Sequence, residues 1–500
     1  MKMTSSKGYG GLNESGLTFW LFLSVSSVAI GGSAQFGYGL GVMTAPSGYI
    51  QDFFNQSHYE RRDEYLSENA VMWLWSFTVS LYCVGAATGA LFAGYFSEKI
   101  GRKSTILLNN ITSIVPALMF GFSKMANMYE LIMVGRVIYG FHVGTVTVVG
   151  PLYIAEISPT NLRGAMGTCH QLMVTIGILL GQLFGFYVLP GEDDWPIVLA
   201  FTAVFSAFQL MTLPFCPESP RWLLISRDKP NKCRNALQKL RGRIDVEDEI
   251  SEMESEALKS ARAGEDDKVS VWEVITLKDS DWKIPLLISL SVNIGQQLSG
   301  INAIFFYLSE IYNQAGMEPD EVAIATVGTG CVNVFMTIVS VMVIDRVGRK
   351  KLLIIPFALM AICHAMLTVS INLQDKVEWI KWMSMVVIYL YIIAFAIGPG
   401  GMPYILVPEI WAQAPRPAAM SISTQINWVT NFILSITFIF MQESMGAYTF
   451  LLFMAFCIFF DVLFIIFVPE TKGRTFDDIV AGFKGGRKTR GNGYEMASMG

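Results

Sequence analysis

Six side-chain amides stand inside long apolar stretches of this 500-residue chain: Gln171, Gln296, Gln297, Asn302, Asn333 and Asn427. An amide donates and accepts hydrogen bonds while staying neutral. In hydrocarbon it is costly unless it finds partners. Amides so placed either meet a neutral polar ligand or bond one helix to another. The chain offers no other reactive chemistry. There is no His-Asp-Ser set, no Gly-rich phosphate loop and no metal cluster. Seven cysteines form no Cys-x-x-Cys pair, and there are only four histidines, so neither a disulfide framework nor a metal site is indicated. His170, beside Gln171, reads as a packed polar residue. The chain is not expected to be an enzyme or to need a cofactor.

A second set of residues pairs opposite charges. Basic clusters stand near acids at Glu98 with Arg102, Glu156 with Arg163, Glu218 with Arg221, Asp345 with Arg349, and Glu409 with Arg416, and Glu470 stands beside Lys472. Orientation in a membrane would need only the basic residues. The accompanying acids suggest clamps that hold helix ends together in one conformation and release them in another.

The elements that position these residues are membrane helices. Hydrophobic residues make up 52% and charged residues 15%, with a mean hydropathy of +0.45. A soluble chain carries about 25% charged residues. Of 36 Lys and Arg and 41 Asp and Glu, 27 lie between Pro217 and Trp282. The remaining tracts are nearly free of charge and long enough to span a bilayer. Twelve spans are expected near 19–42, 70–95, 104–122, 129–154, 166–189, 196–216, 285–313, 322–344, 350–372, 382–408, 417–441 and 446–468. The first continues through Gln35-Phe36-Gly37-Tyr38 and is too long for a signal peptide. The net charge of −5 favours no nucleic-acid partner.

Lys and Arg concentrate in alternate loops, which places both termini in the cytosol. Lys99, Arg102 and Lys103 follow span 2, and Arg346, Arg349, Lys350 and Lys351 follow span 8. The loop holding Lys376 and Lys381 is a mild exception. The plan is then a cytosolic N-terminus (1–18), a six-helix half (19–216), a charged cytosolic linker with short helices (217–284), a second six-helix half (285–468) and a cytosolic tail (469–500). Of three sequons, only Asn55-Gln56-Ser57 falls in a long outside loop, where glycosylation is possible.

The halves repeat one plan. Gly101-Arg102-Lys103 recurs as Gly348-Arg349-Lys350. Glu156 with Arg163 recurs as Glu409 with Arg416, and Pro217-Glu218-Ser219 recurs as Pro469-Glu470-Thr471. Many secondary transporters are built from two such halves, with the site at the midplane between them.

Beyond these motifs, Gly135-Arg136, Pro217-Glu218-Ser219-Pro220-Arg221, Gln296-Gln297-Leu298-Ser299-Gly300-Ile301-Asn302, Gly398-Pro399-Gly400, Arg416-Pro417-Ala418-Ala419 and Pro469-Glu470-Thr471-Lys472-Gly473-Arg474 run along nearly the whole chain. With them it resembles the sugar porters of the major facilitator superfamily, specifically the facilitative hexose transporters of animals. The resemblance implies a multi-pass plasma-membrane protein that carries hexose by alternating access, with no obligate protein partner beyond membrane lipid. The six amides match the family's sugar-binding positions. Neutral amides suit a sugar's hydroxyls, and aromatic faces complete such a site, with Phe36, Phe305, Tyr307, Tyr404 and Trp428 as candidates. Gln296 and Gln297 point about 100° apart on a helix. They can share one cavity with Asn302 only if the helix bends, and the break is expected at Ser299-Gly300. Gly398-Pro399-Gly400 reads as the hinge of the outer gate, with Tyr307 as a further gating residue.

Features of two branches mix. The glucose-type branch carries Gln-Leu-Ser where this chain has Asn293-Ile294-Gly295, Glu where it has Ala396, and Trp where it has Tyr404. Ile304 resembles the fructose-type branch, whereas Phe395 replaces that branch's His. The substrate is expected to be glucose, fructose or both, leaning to the fructose type. Urate, a proton-coupled symport and a non-transporting sensor are the alternatives. Proton-driven relatives carry an acid where this chain has Gly39, and span 1 holds none. An intramembrane carboxylate is the usual sign of a proton relay, so uniport is expected.

Overall fold

The computed structural model describes residues 17–159, 162–262, 269–344, 346–374, 376–377, 379–411 and 415–472. Asp345 lies outside the described residues, as do most of the N-terminal segment and the tail beyond 472. Inside hydrocarbon a backbone amide must be bonded within its own segment, so apolar tracts of this length fold as helices. Among the described residues there is no strand.

Among the described residues, eleven apolar stretches are long enough to cross a membrane. The eleventh, Arg416–Phe467, is two helices. Arg416–Met445 and Thr449–Phe467 are joined by a 3₁₀ turn at Gly446–Tyr448, where Gly446 has φ +54°. Twelve spans result, as the sequence predicts. In order the others are Phe19–Gly41, Glu68–Ile100, Arg102–Ser123, Glu130–Ile157, Met166–Val188, Trp195–Phe215, Ser280–Phe306, Pro319–Ile344, Arg349–Leu373 and Ile380–Ile410.

Close packing in the N-terminal half rests on four Gly-x-x-x-Gly pairs. A Cβ on Gly85 or Gly89 of span 2 would lie about 2 Å from backbone carbonyls of Val137 and Phe141 in span 4. One on Gly140 or Gly144 would meet the Tyr82 and Ala86 carbonyls in return. Gly37 and Gly41 of span 1 face Gly177 and Gly181 of span 5 in the same way. Such seams let helix backbones touch and hold by dispersion, which is what drives helix association in lipid.

In the C-terminal half, two spans break. Span 7 stops at Leu298 and restarts at Ile301, with Gly300 at φ +94°. Span 10 stops at Ile397 and restarts at Met402. Both interruptions fall on the glycine-containing runs named above.

The linker forms helices Pro230–Arg241, Glu247–Arg262 and Val271–Ile275. The first of them sits against the start of span 1, where the Thr18 hydroxyl donates to the Leu240 carbonyl at 2.7 Å. The loop expected between spans 1 and 2 contains a helix, Ser47–Arg62. Asn55 is mid-helix and its side chain accepts the Leu66 N–H at 2.9 Å, while Ser57 is fully buried and donates to the Asn127 carbonyl. A glycan at Asn55 would have to be attached before this helix packs.

Candidate functional site

The candidate site forms around the break in span 7. Restarting the helix at Ile301 turns Asn302 back toward Gln297, and the Asn302 amide donates to Gln297 Oε1 at 2.6 Å. Gln297 Nε2 donates to Asn427 Oδ1 at 2.9 Å, and Asn427 Nδ2 donates to Gln296 Oε1 at 2.8 Å and Asn293 Oδ1 at 3.2 Å. Gln296 Nε2 donates to the carbonyls of Pro399 and Gly400 at 2.9 and 3.1 Å. Five amides from spans 7 and 11 thus form one chain of neutral hydrogen bonds that ends on the break of span 10. Amides paired this way can exchange each other for the hydroxyls of a polyol at little net cost, because the bonds lost and gained are alike.

The bend is held from behind. The Ser299 carbonyl, left over by the break, accepts from the Tyr391 hydroxyl at 2.9 Å and lies 2.8 Å from His364 Nε2. Sequence reasoning missed His364 and Tyr391 because their partner is a backbone carbonyl freed by the bend. Asn293 joins the amide chain although it is not among the six amides singled out in the sequence. Asn293 lies four residues before Gln297, on the same face, and that spacing was the signal available.

The aromatic candidates divide. Trp428 is buried beside Phe36 and Tyr82 of the N-terminal half, with ring centroids 6.2 Å away in each case. It therefore joins the two halves next to the amide chain. Tyr307 is fully buried and donates to the Ser435 carbonyl at 2.9 Å. Tyr404 lies in the restarted part of span 10 and is 59% exposed. Ile304 is 1% exposed and lies among Cys363, His364, Leu367, Val387, Ile388 and Tyr391. Its side chain faces this packing and not the amide chain. Gln171 is half-buried on span 5, next to His170, whose Nδ1 lies 2.7 Å from the Ser33 hydroxyl. Asn333 is buried on span 8, where its carbonyl accepts from Thr337. Neither is bonded to the amide chain.

At one face the halves meet directly. Thr44, at the end of span 1, donates to the Phe305 carbonyl at 3.1 Å, and Ser309 donates to the Thr44 carbonyl at 3.0 Å. Trp73 and Phe440 meet there with centroids 4.1 Å apart. The charged motifs lie at the opposite face and repeat point for point. Arg102 Nε bonds Glu156 at 2.9 Å, and Arg349 Nη2 bonds Glu409 at 3.1 Å. The Ser219 hydroxyl bonds Glu156, and the Thr471 hydroxyl bonds Glu409. Glu218 accepts the Lys103 N–H at 2.9 Å, and Glu470 accepts the Arg349 N–H at 2.8 Å. A Cβ on Gly101 would strike Glu218, and one on Gly348 would strike Glu470. Burial pushes the Glu218 carboxyl up, opposed by the backbone N–H groups of Lys103, Ser219 and Ser104. Glu98 adds a bond to Arg102 at 2.8 Å.

Two expectations about these clamps need correction. Glu409 pairs with Arg349, whereas Arg416 donates to the Trp411 carbonyl at 3.0 Å. Glu156 likewise pairs with Arg102. The side chain of Arg163 and the residue Asp345 lie outside what is described. Each described ion pair joins helices within one half or within the linker and not across the halves. The reason is geometric: Arg102 and Arg349 start spans 3 and 9, within reach of the ends of spans 4 and 10. Arg221 follows Glu218 and opens the linker.

A sugar transporter family model, described as sugar (and other) transporter, matches residues 25–483. The chain belongs to the sugar transporter family. It is 40% identical over 464 residues to facilitated glucose transporter member 5 of mouse, covering 93% of this chain and 92% of that protein. It is 40% identical over 476 residues to facilitated glucose transporter member 1 of chicken, covering 95% and 96%. Among solved structures, the xylose transporter XylE of E. coli in an inward open conformation superimposes with a TM-score of 0.76 at 23% identity, covering 92% of this chain and 99% of that one. The fold is that of the major facilitator superfamily. The chain is a multi-pass membrane transporter of small-molecule sugars and not an enzyme.

Proposed function

We propose that this transporter carries hexose, glucose or fructose or both, down its own gradient by alternating access in the plasma membrane. The observation that carries this reading is the chain of neutral amides Asn302–Gln297–Asn427–Gln296 at the helix break, next to a tryptophan shared by both halves. Neutral donors and acceptors favour a polyol over an ion. The names of the two relatives, both facilitated glucose transporters, support hexose as the cargo. Gln171 and Asn333, from spans 5 and 8, would complete the sugar's contacts from the facing helices. Gly398, Pro399 and Gly400 would act as the hinge, because a site amide bonds the carbonyls that the break exposes.

The face carrying the clamps is read as cytosolic, with both termini on that side, from its Lys and Arg content. The bonds of Thr44 to Phe305 and Ser309 then close the outside, as an inward-facing state requires. Vesicles containing only this protein should take up labelled glucose or fructose and show counterflow exchange. Uptake of urate alone, or of neither hexose, would overturn the assignment.

A further inference from the structure

A cavity of about 470 Å³ lies outside the amide chain, on the clamp face of the N-terminal half, between the ends of spans 2 and 6 and the linker helix Pro230–Arg241. Four ammonium groups line it: Lys103, Lys229, Lys232 and Lys239. Its carboxylate, Glu218, is already bonded to the N–H groups of Lys103, Ser104 and Ser219. Two of the lysines are anchored. Lys103 Nζ donates to the Pro214 and Cys216 carbonyls at 2.7 Å each. Lys239 Nζ donates to the Phe215 carbonyl at 2.7 Å and lies 3.7 Å from the centre of the Trp20 ring. An ammonium has three donors, so one remains on Lys103 and two on Lys239. Lys229 and Lys232 are exposed. A multiply charged anion would relieve the mutual repulsion of these four groups, and a phosphomonoester carries about −1.5 to −2 near neutral pH.

The surroundings point to where such a group would come from. Lys239 touches Phe215, which is 64% exposed, and Trp20, whose neighbour Phe19 is 68% exposed. In a membrane chain, apolar surface of this kind at the ends of spans is covered by acyl chains. We propose that the pocket binds the phosphomonoester headgroup of an anionic lipid, with Lys103 and Lys239 at its anchored wall and Lys229 and Lys232 reaching in from the linker. A bound headgroup then ties the linker helix to the start of span 3. This reading does not depend on which sugar is carried.

The test uses the full chain in lipid nanodiscs of phosphatidylcholine, alone or with a phosphoinositide bearing phosphomonoesters or with phosphatidylserine. Lipid retained on the protein is read by native mass spectrometry. The phosphoinositide should be retained in preference to the other two. The K229Q/K232Q double variant changes two exposed side chains. It should bind the phosphoinositide roughly 30-fold more weakly, from about 1 kcal/mol per lysine at 1.4 kcal/mol per decade. K229R/K232R should restore binding. Equal retention by wild type and K229Q/K232Q would overturn the site. Soluble inositol phosphate that binds as tightly and displaces the lipid would overturn lipid as the occupant and leave a free phosphate ester in its place.

Discussion

Arg136 Nη1 donates to the carbonyl of Gly39 at 3.0 Å, so a buried guanidinium is held by a residue without a side chain. Its other described contacts are the Thr78 and Val79 carbonyls and the face of Tyr82, 4.5 Å from the ring centre. Dipoles and a ring face stabilise this charge where a carboxylate would pair with it in a proton relay.

Uniport follows from that arrangement. Sugar should equilibrate across sealed vesicles, and an imposed proton gradient should not concentrate it. Gly39→Asp cannot simply install the relay, because its Cβ would fall 2.3 Å from the Tyr139 ring. Tyr139 is itself tied to the Gln35 carbonyl at 2.5 Å. Overpacking of this kind costs about 1–3 kcal/mol, so the variant should lose thermal stability without gaining proton coupling. Proton-driven accumulation by the wild type would refute uniport.

The two clamps should differ in strength. Arg102 and Glu156 have side chains only 7% and 10% exposed, whereas Arg349 and Glu409 are 15% and 30% exposed. Removing one partner of a buried pair costs about 3–5 kcal/mol, and a more solvated pair is worth about 1 kcal/mol or less. Thermal unfolding should therefore rank Glu156→Gln as more damaging than Glu409→Gln, with Arg416→Ala mildest because it loses only bonds to a carbonyl. Both pairs stand within a half while the far face is closed, so Glu409→Gln should leave the cysteine accessibility of residues facing between the halves, such as Asn302, little changed. A large change would restore a clamp across the halves.

Asn109 lies in span 3, away from the amide chain. Read as a sequence position, Asn109→Leu should be nearly silent. The structure gives Asn109 a bond to the His142 carbonyl at 2.9 Å and places its Nδ2 3.1 Å from His142 Nδ1, both residues being buried. The His142 ring keeps the Asn109 carbonyl, 3.0 Å from its Nδ1, so the loss is that of the amide's own bond, about 0.5–1.5 kcal/mol. Asn109→Leu should lower the unfolding temperature while the surviving protein keeps its half-saturation constant. A change in half-saturation with stability intact would place Asn109 in the transport path.

What the sequence showed and hid follows from range. Apolar length gave the twelve spans, and the glycine runs gave both breaks, because each is a property of consecutive residues. The meeting of Gln297 with Asn302 was legible from their spacing once a bend at Gly300 was allowed. The pairing of Glu409 was not. Arg416 is seven residues away in sequence, but the helix packing brings Arg349, sixty residues away, to its carboxylate. The packing of Ile304 against spans 9 and 10 was hidden for the same reason, since the turn of one helix does not reveal which neighbour it faces. That packing predicts that Ile304→Val leaves a small void, costing about 0.5–1.5 kcal/mol. Any change in fructose relative to glucose half-saturation should then come with lower stability. A selectivity change at full stability would mean that Ile304 touches the sugar.

Gln297 is the most exposed test of the site. Its amide bonds both Asn302 and Asn427, so it is the link between the restarted helix and span 11. A sugar hydroxyl entering this chain would take the place of one of those bonds. Gln297→Leu keeps the length of the side chain and suits the membrane, so the protein should still fold and reach the surface. It leaves the partner amide without its bond, at about 1–3 kcal/mol, which is roughly 5- to 150-fold in affinity at 1.4 kcal/mol per decade. A transporter holds its cargo weakly, and a millimolar site amounts to only about 4 kcal/mol. Losing one contact should therefore push half-saturation beyond the usable range. Gln171→Leu and Asn333→Leu separate the two parts of the proposal: if only they impair uptake, the sugar sits against spans 5 and 8. If Gln297→Leu reaches the surface in normal amounts with unchanged half-saturation, the amide chain is a structural bond between spans 7 and 11 and the sugar binds elsewhere.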